Sequence, residues 1–169
     1  MPSSYVDSFA PIIKMIIERA PKHVLDIGPG WGKYGLACRE YLPGLETLDA
    51  IEVPQGRIRT QPAIYDAVFI GDARDATEAF FRAYDLVLLI DVIEHFPKRS
   101  GHALLDRMQR AGPEILIATP TWFFEQHDEA NPHEEHLSLW GWDDLAPHGV
   151  ELDVSTPDAV IYLIKGMRF

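Results

Sequence analysis

Carboxylates stand at the ends of apolar runs along this chain, where short polar segments can meet a ligand. Asp26 lies in the run His23-Val24-Leu25-Asp26-Ile27, which opens directly into Gly28-Pro29-Gly30-Trp31-Gly32-Lys33-Tyr34-Gly35. Glycines at this spacing let a strand-to-helix turn adopt positive φ and let a ligand touch bare backbone. The N–H groups at the start of the following helix then face that ligand and favour its negative charge. Glu52 ends the run Leu48–Val53, where a parallel strand would return beside the first, and a carboxylate there can accept two hydrogen bonds from a ribose diol. Asp72 follows Ala67-Val68-Phe69-Ile70-Gly71 and precedes Ala73, and Asp91-Val92-Ile93-Glu94-His95 follows the most apolar run of all, Tyr84–Ile90. The chemistry implied is recognition of a nucleotide-like ligand through backbone and ribose, with titratable groups nearby.

Groups able to take a proton near neutral pH gather further along. His95 and Glu94 border the Asp91 turn, and His136 lies in Asn131-Pro132-His133-Glu134-Glu135-His136-Leu137-Ser138-Leu139-Trp140. His136 is the leading candidate base, with His95 and Glu94 behind it; each has a structural alternative as a hydrogen-bonding anchor. His127, Asp128, His133, Glu134 and His136 are types that suit Zn, Mn or Fe, but their spacing matches no closed metal motif, so a solvated loop is expected and no metal site. Trp122-Phe123-Phe124 follows the fifth apolar run and is a candidate wall for an apolar substrate pocket, with Trp122 and Phe123 put first.

The elements that must position these residues follow from periodicity. Phe9, Ile12, Ile13, Ile16 and Ile17 recur on one helical face, with Ser8 as cap and Pro21 as stop. Strands are expected at Val24–Ile27, Leu48–Val53, Ala67–Ile70, Tyr84–Ile90 and Ile115–Ala118. Helices are expected at Trp31–Tyr41, Ala76–Ala83 and Ser100–Ala111. Between Pro54 and Pro62 any crossover helix is short or irregular. The stretch 119–147 reads as a long functional loop with a short helix at Trp142–Leu145. Val150–Ser155 and Ala159–Lys165 read as a closing strand pair around Thr156-Pro157-Asp158. These patterns define an α/β fold, a seven-stranded and mostly parallel sheet flanked by helices that ends in an antiparallel pair.

Composition bounds the partners. With 169 residues and no linker signature, one domain spanning 1–169 is expected. Fifteen basic against twenty-six acidic residues give a net charge of −11, which disfavours nucleic acid. Lone Cys38 excludes an intrachain disulfide and reads as a packed thiol. No run approaches the roughly 20 apolar residues of a membrane span. With no basic n-region at the start, a cytoplasmic protein is expected.

The ordered set Asp26-Ile27-Gly28-Pro29-Gly30-Trp31-Gly32, Glu52, Gly71-Asp72-Ala73 and Asp91-Val92-Ile93-Glu94-His95 resembles the class I S-adenosylmethionine-dependent methyltransferases, from about Val24 to Lys165. The resemblance implies a Rossmann-like fold with S-adenosyl-L-methionine as cofactor and S-adenosyl-L-homocysteine as product. It assigns Asp26, Gly28, Gly30 and Gly32 to the methionine part, Glu52 to the ribose, Asp72 and the Ala73 backbone to adenine, and Asp91 and Val92 to the methionine end. Acids rather than basic residues are expected around the turn. The H-L-S-x-W run at 136–140 is similar to a segment of bacterial and phage relatives.

Gly30-Trp31-Gly32-Lys33-Tyr34-Gly35 also fits the dinucleotide pattern G-x-G-x-x-G, so an NAD-dependent oxidoreductase is a rival. The earlier Asp26-Ile27-Gly28, the adenine-side Asp72 and the closing strand pair argue against it. A non-catalytic module that binds the cofactor is the other alternative. The expected activity is methyl transfer to O or N of a small molecule, and a short substrate lid leaves room for a homodimer partner to complete the pocket.

Overall fold

The computed structural model describes residues 5–54, 63–126, 129 and 131–167. The expected irregular crossover between Pro54 and Pro62 falls mainly outside the described residues, as do His127 and Asp128. Seven strands form one sheet: β1 (His23–Ile27), β2 (Thr47–Glu52), β3 (Ala67–Ile70), β4 (Leu86–Ile90), β5 (Glu114–Pro120), β6 (Val150–Asp153) and β7 (Ala159–Ile164). Their order is β3-β2-β1-β4-β5-β7-β6. The first five pair in parallel, while β7 runs antiparallel between β5 and β6.

The central strands are apolar throughout because both faces of the sheet are covered. Along β4, Leu86, Leu88 and Ile90 pack with α1 (Val6–Arg19) and α2 (Lys33–Tyr41). Val87 and Leu89 point the other way, into a layer built from Phe81 of α3 (Glu78–Phe81) and Leu104, Leu105 and Met108 of α4 (Lys98–Ala111). Leu145 of α5 (Trp142–Leu145) joins that second layer. The two-residue alternation of a strand thus feeds two separate cores.

Three local expectations are corrected. Ser8 does not cap α1: the helix begins at Val6, and the Ser8 Oγ is buried inside its first turn with no hydrogen-bond partner among the described residues. The helix expected from Trp31 starts at Lys33, because Gly28, Gly30 and Gly32, all at positive φ, take up the turn before it. The helix expected over Ala76–Ala83 shrinks to the four-residue α3, preceded by a 3-10 turn at Ala73–Asp75. Cys38 is buried as expected, and burial pushes its thiol up to about 12. No helix among the described residues is long and apolar enough to cross a membrane.

Candidate active site

The carboxyl ends of β1, β2, β3 and β4 surround one cavity of about 850 Å³. That is near the upper end of the roughly 300–1,000 Å³ of small-molecule sites, and it lies where open α/β sheets take their ligands. The glycine turn forms one wall. Gly28 has φ +64°, and a Cβ there would lie 2.6 Å from Val92 Cγ2, so the turn and the Asp91 loop approach too closely for a side chain. Gly30 has φ +56° and nothing within 4 Å of its missing Cβ, which leaves its backbone open to the cavity.

Acids from successive strand ends line the same space. Asp26 is 3% exposed and accepts a hydrogen bond from the Tyr65 hydroxyl at 2.6 Å. Burial raises its carboxyl to about 7, against the lowering effect of the tyrosine. Tyr65 reaches it by crossing Gly35, where any Cβ would collide with the phenol ring. Glu52 closes β2, buried, with its carboxylate accepting from the Val53 N–H at 2.9 Å. Asp91 follows β4 at φ +53°, a left-handed conformation that costs a non-glycine residue energy and recurs at functional sites.

Asp72 caps the 3-10 turn, accepting from the Arg74 N–H at 2.8 Å, and binds the Arg74 guanidinium with both oxygens. Those hydrogen bonds hold its carboxyl below the usual range. Arg74 lies over the Phe96 ring at 4.7 Å, and Lys33 also lines the cavity. The expectation that only acids surround the turn is therefore corrected: two cations share the wall.

At the other end Glu94, His95 and His136 converge, each offering a ligand atom within 4.8 Å of the others. Glu94 is buried and accepts from the Thr119 hydroxyl at 3.0 Å; burial and the neighbouring Asp91 charge hold its carboxyl above the usual range. His136 Nδ1 lies 3.1 Å from the Phe124 carbonyl, and His95 Nδ1 lies 3.0 Å from that of Glu135. A carbonyl only accepts, so each Nδ1 carries the proton and each Nε2 is left with its lone pair when the ring is neutral. Burial and the adjacent His95 lower the His136 pKa and favour that neutral form.

The loop is brought here by the H-L-S-x-W run. The Leu137 and Ser138 N–H groups both donate to the Glu94 carbonyl, at 2.8 and 3.0 Å. The Ser138 hydroxyl donates to the Phe96 carbonyl and accepts from Trp140 Nε1, both at 2.7 Å. Trp140 is 1% exposed and lies against Gly101 of α4, where a Cβ would collide with its ring.

Of the residues singled out from sequence, Asp26, Gly28, Gly30, Glu52, Asp72, Ala73, Asp91, Val92, Glu94, His95 and His136 all border the cavity. Gly32 does not: its N–H donates to the Pro29 carbonyl at 2.8 Å, and its missing side chain makes room for Ile64 and Tyr65. Of the aromatic run 122–124, Phe124 borders the cavity beside Pro120; Trp122 and Phe123 are corrected, since neither does, and Trp122 pairs instead with Tyr5 at 5.5 Å. Within the loop set, His133 and Glu134 border the cavity without joining the Glu94 cluster. Sequence reasoning missed Tyr5, Tyr65 and Arg74; only Arg74, two residues after Asp72, carried a local signal.

An open glycine backbone, a buried acid at the end of β2 and a second acid beside Ala73 suit the methionine, ribose and adenine parts of S-adenosylmethionine, and the fold and site together define a class I methyltransferase. A methyltransferase-domain family model matches residues 4–154, and the chain belongs to that family. S-adenosylmethionine is its cofactor. Among solved structures, the N-terminal domain of EvdMO1, crystallised in the presence of S-adenosylhomocysteine and D-fucose, is 18% identical with TM-score 0.69. The match covers 98% of this chain and 85% of that one. The PH0226 protein from Pyrococcus horikoshii is 14% identical with TM-score 0.71, covering 96% and 89% of the two chains. The O-methyltransferase NcsB1 from neocarzinostatin biosynthesis, in complex with S-adenosylhomocysteine and 1,4-dihydroxy-2-naphthoic acid, is 16% identical with TM-score 0.65. That match covers 94% of this chain but only 53% of NcsB1. A search of curated proteins returned no match.

Proposed function

We propose that this chain, acting as a single domain, methylates a hydroxyl oxygen of a small-molecule acceptor, with a nitrogen acceptor as the second choice. The observation that carries the reading is that one cavity joins the glycine turn to the Glu94–His95–His136 cluster. A hydroxyl is a poor nucleophile until its proton is drawn away, and this cluster supplies lone pairs for that purpose. When bound, S-adenosylmethionine supplies an electrophilic methyl group whose bond to sulfur breaks as the bond to the acceptor forms, leaving S-adenosylhomocysteine. The chain's own part is to hold both partners in line and exclude water. Gly28, Gly30, Asp26 and Glu52 hold the methionine and ribose parts, Asp72 and Ala73 the adenine part, and the cluster holds the acceptor. NcsB1, bound to a dihydroxynaphthoic acid, is consistent company for a hydroxylated acceptor.

The test is transfer of label from methyl-labelled cofactor to a panel of phenols, sugars and amines. Label on a small-molecule hydroxyl is expected; label confined to added protein or nucleic acid refutes the reading. Asp72→Ala leaves Arg74 unpaired at the adenine end and is expected to weaken S-adenosylhomocysteine binding about tenfold, or about 1.4 kcal/mol, by titration calorimetry. An unchanged affinity removes Asp72 from the cofactor site.

A further inference from the structure

We propose that Glu94, His95 and His136 bind one divalent transition-metal ion, of the Zn2+, Mn2+ or Fe2+ class, at the acceptor end of the cavity. Its role, though not its binding, rests on the methyl-transfer reading above. The three candidate ligand atoms lie within 4.8 Å of one another. Ligands held at about 2.0–2.2 Å from a shared ion stand roughly 3–3.5 Å apart, so side-chain adjustment alone closes the set. Sequence reasoning expected no metal site; the group proposed here joins His136 to the Asp91 turn rather than to its neighbours in the loop.

Both imidazoles have one nitrogen to offer. Each has its Nδ1–H committed to a backbone carbonyl, Phe124 for His136 and Glu135 for His95, which fixes the ring and reserves Nε2. Such outer hydrogen bonds are the usual support of a metal-bound histidine. The carboxylate supplies the second argument. Glu94 is 3% exposed, and no lysine or arginine among the described residues pairs with it. Ionising a buried carboxyl without a cation is expensive, so Glu94 alone is held toward its protonated form, and a divalent ion would supply the charge that makes the carboxylate favourable.

The donor set selects the class of ion. Two imidazoles and one carboxylate suit zinc, iron or manganese, whereas magnesium and calcium prefer all-oxygen shells. Three protein ligands leave coordination positions open, and all three side chains border the cavity, so an acceptor oxygen can complete the shell. With the ion bound, the acceptor hydroxyl would be activated by Lewis acidity in place of the imidazole lone pairs: coordination lowers its pKa and its proton passes to solvent. Acceptors with two adjacent oxygens, able to chelate, fit best.

The experiment titrates metal-depleted, cofactor-free protein with Co2+, followed by visible absorption, and with Zn2+, followed by calorimetry. One equivalent is expected at micromolar affinity or tighter, and His136→Gln and Glu94→Gln are each expected to weaken it at least tenfold. S-adenosylhomocysteine affinity, measured on the same samples, should stay within about threefold, because its binding groups lie along the rest of the cavity. If Glu94→Gln melts below the assay temperature, His95→Gln carries the test from the less buried member. No saturable site in the wild type, or unchanged affinity in variants that melt cooperatively, overturns the proposal. Metal binding without S-adenosylhomocysteine binding would instead count against the methyl-transfer reading.

Discussion

Asp26 borders the cavity and bears on the stability of the sheet. Its carboxyl is buried in β1, receives the Tyr65 hydroxyl at 2.6 Å, and titrates at about 7 because burial outweighs that hydrogen bond. An ordinary aspartate in the unfolded chain titrates near 4. The folded protein therefore holds a proton that the unfolded chain releases over that interval. Stability from this group is fully present below about pH 4 and is lost as pH rises through about 7, on the order of 4 kcal/mol. Asp26→Asn keeps a neutral side chain at every pH and is expected to flatten the profile. Urea unfolding of cofactor-free protein at about pH 4.5 and pH 8 checks this, with the difference between wild type and variant isolating Asp26 from other carboxylates. Parallel pH slopes in the two proteins would show that Asp26 ionises normally.

At the scale of elements, the loop that delivers His136 is fastened by parts that do no chemistry. Ser138 bridges the Phe96 carbonyl and the Trp140 indole, and Trp140 fills the notch left by Gly101 on α4. Lys98 covers the same indole ring at 4.5 Å. Trp140→Ala opens a cavity in this layer and is expected to lower stability by about 3–5 kcal/mol. Ser138→Ala is the milder probe: it leaves the Phe96 carbonyl and the indole N–H without their partner, about 1–3 kcal/mol. It should speed amide exchange at Leu137 and Ser138 and reduce turnover while leaving S-adenosylhomocysteine affinity unchanged. Exchange confined to its wild-type rate would mean that Ser138 is not a fastener. The sequence made His136 visible as an imidazole among acids, but not why it arrives beside Glu94. Its delivery depends on bonds between residues far apart in the chain, and periodicity carries no record of those.

For the molecule as a whole, the strands were legible because the physics that makes them is local. β4 is apolar at every position since two layers cover it, and glycine at 28 and 30 marks a turn only glycine adopts cheaply. Trp122 and Phe123 were misread because an aromatic run after a strand says nothing of which ring borders the cavity; of the three, Phe124 does. Charge is legible in another way, as a property independent of fold. Twenty-six acidic against fifteen basic residues leave −11, and six of those acids, Asp26, Glu52, Asp72, Asp91, Glu94 and Glu134, line the cavity beside Lys33 and Arg74. A phosphate backbone approaching such a surface gains little from counterion release, the main source of non-specific nucleic-acid affinity. Labelled single-stranded RNA at about 50 mM salt, where that affinity is strongest, is expected to show no anisotropy change up to about 10 μM protein. A salt-sensitive rise in that titration would require a basic track that the −11 balance conceals, and would move the acceptor from small molecules to polynucleotides.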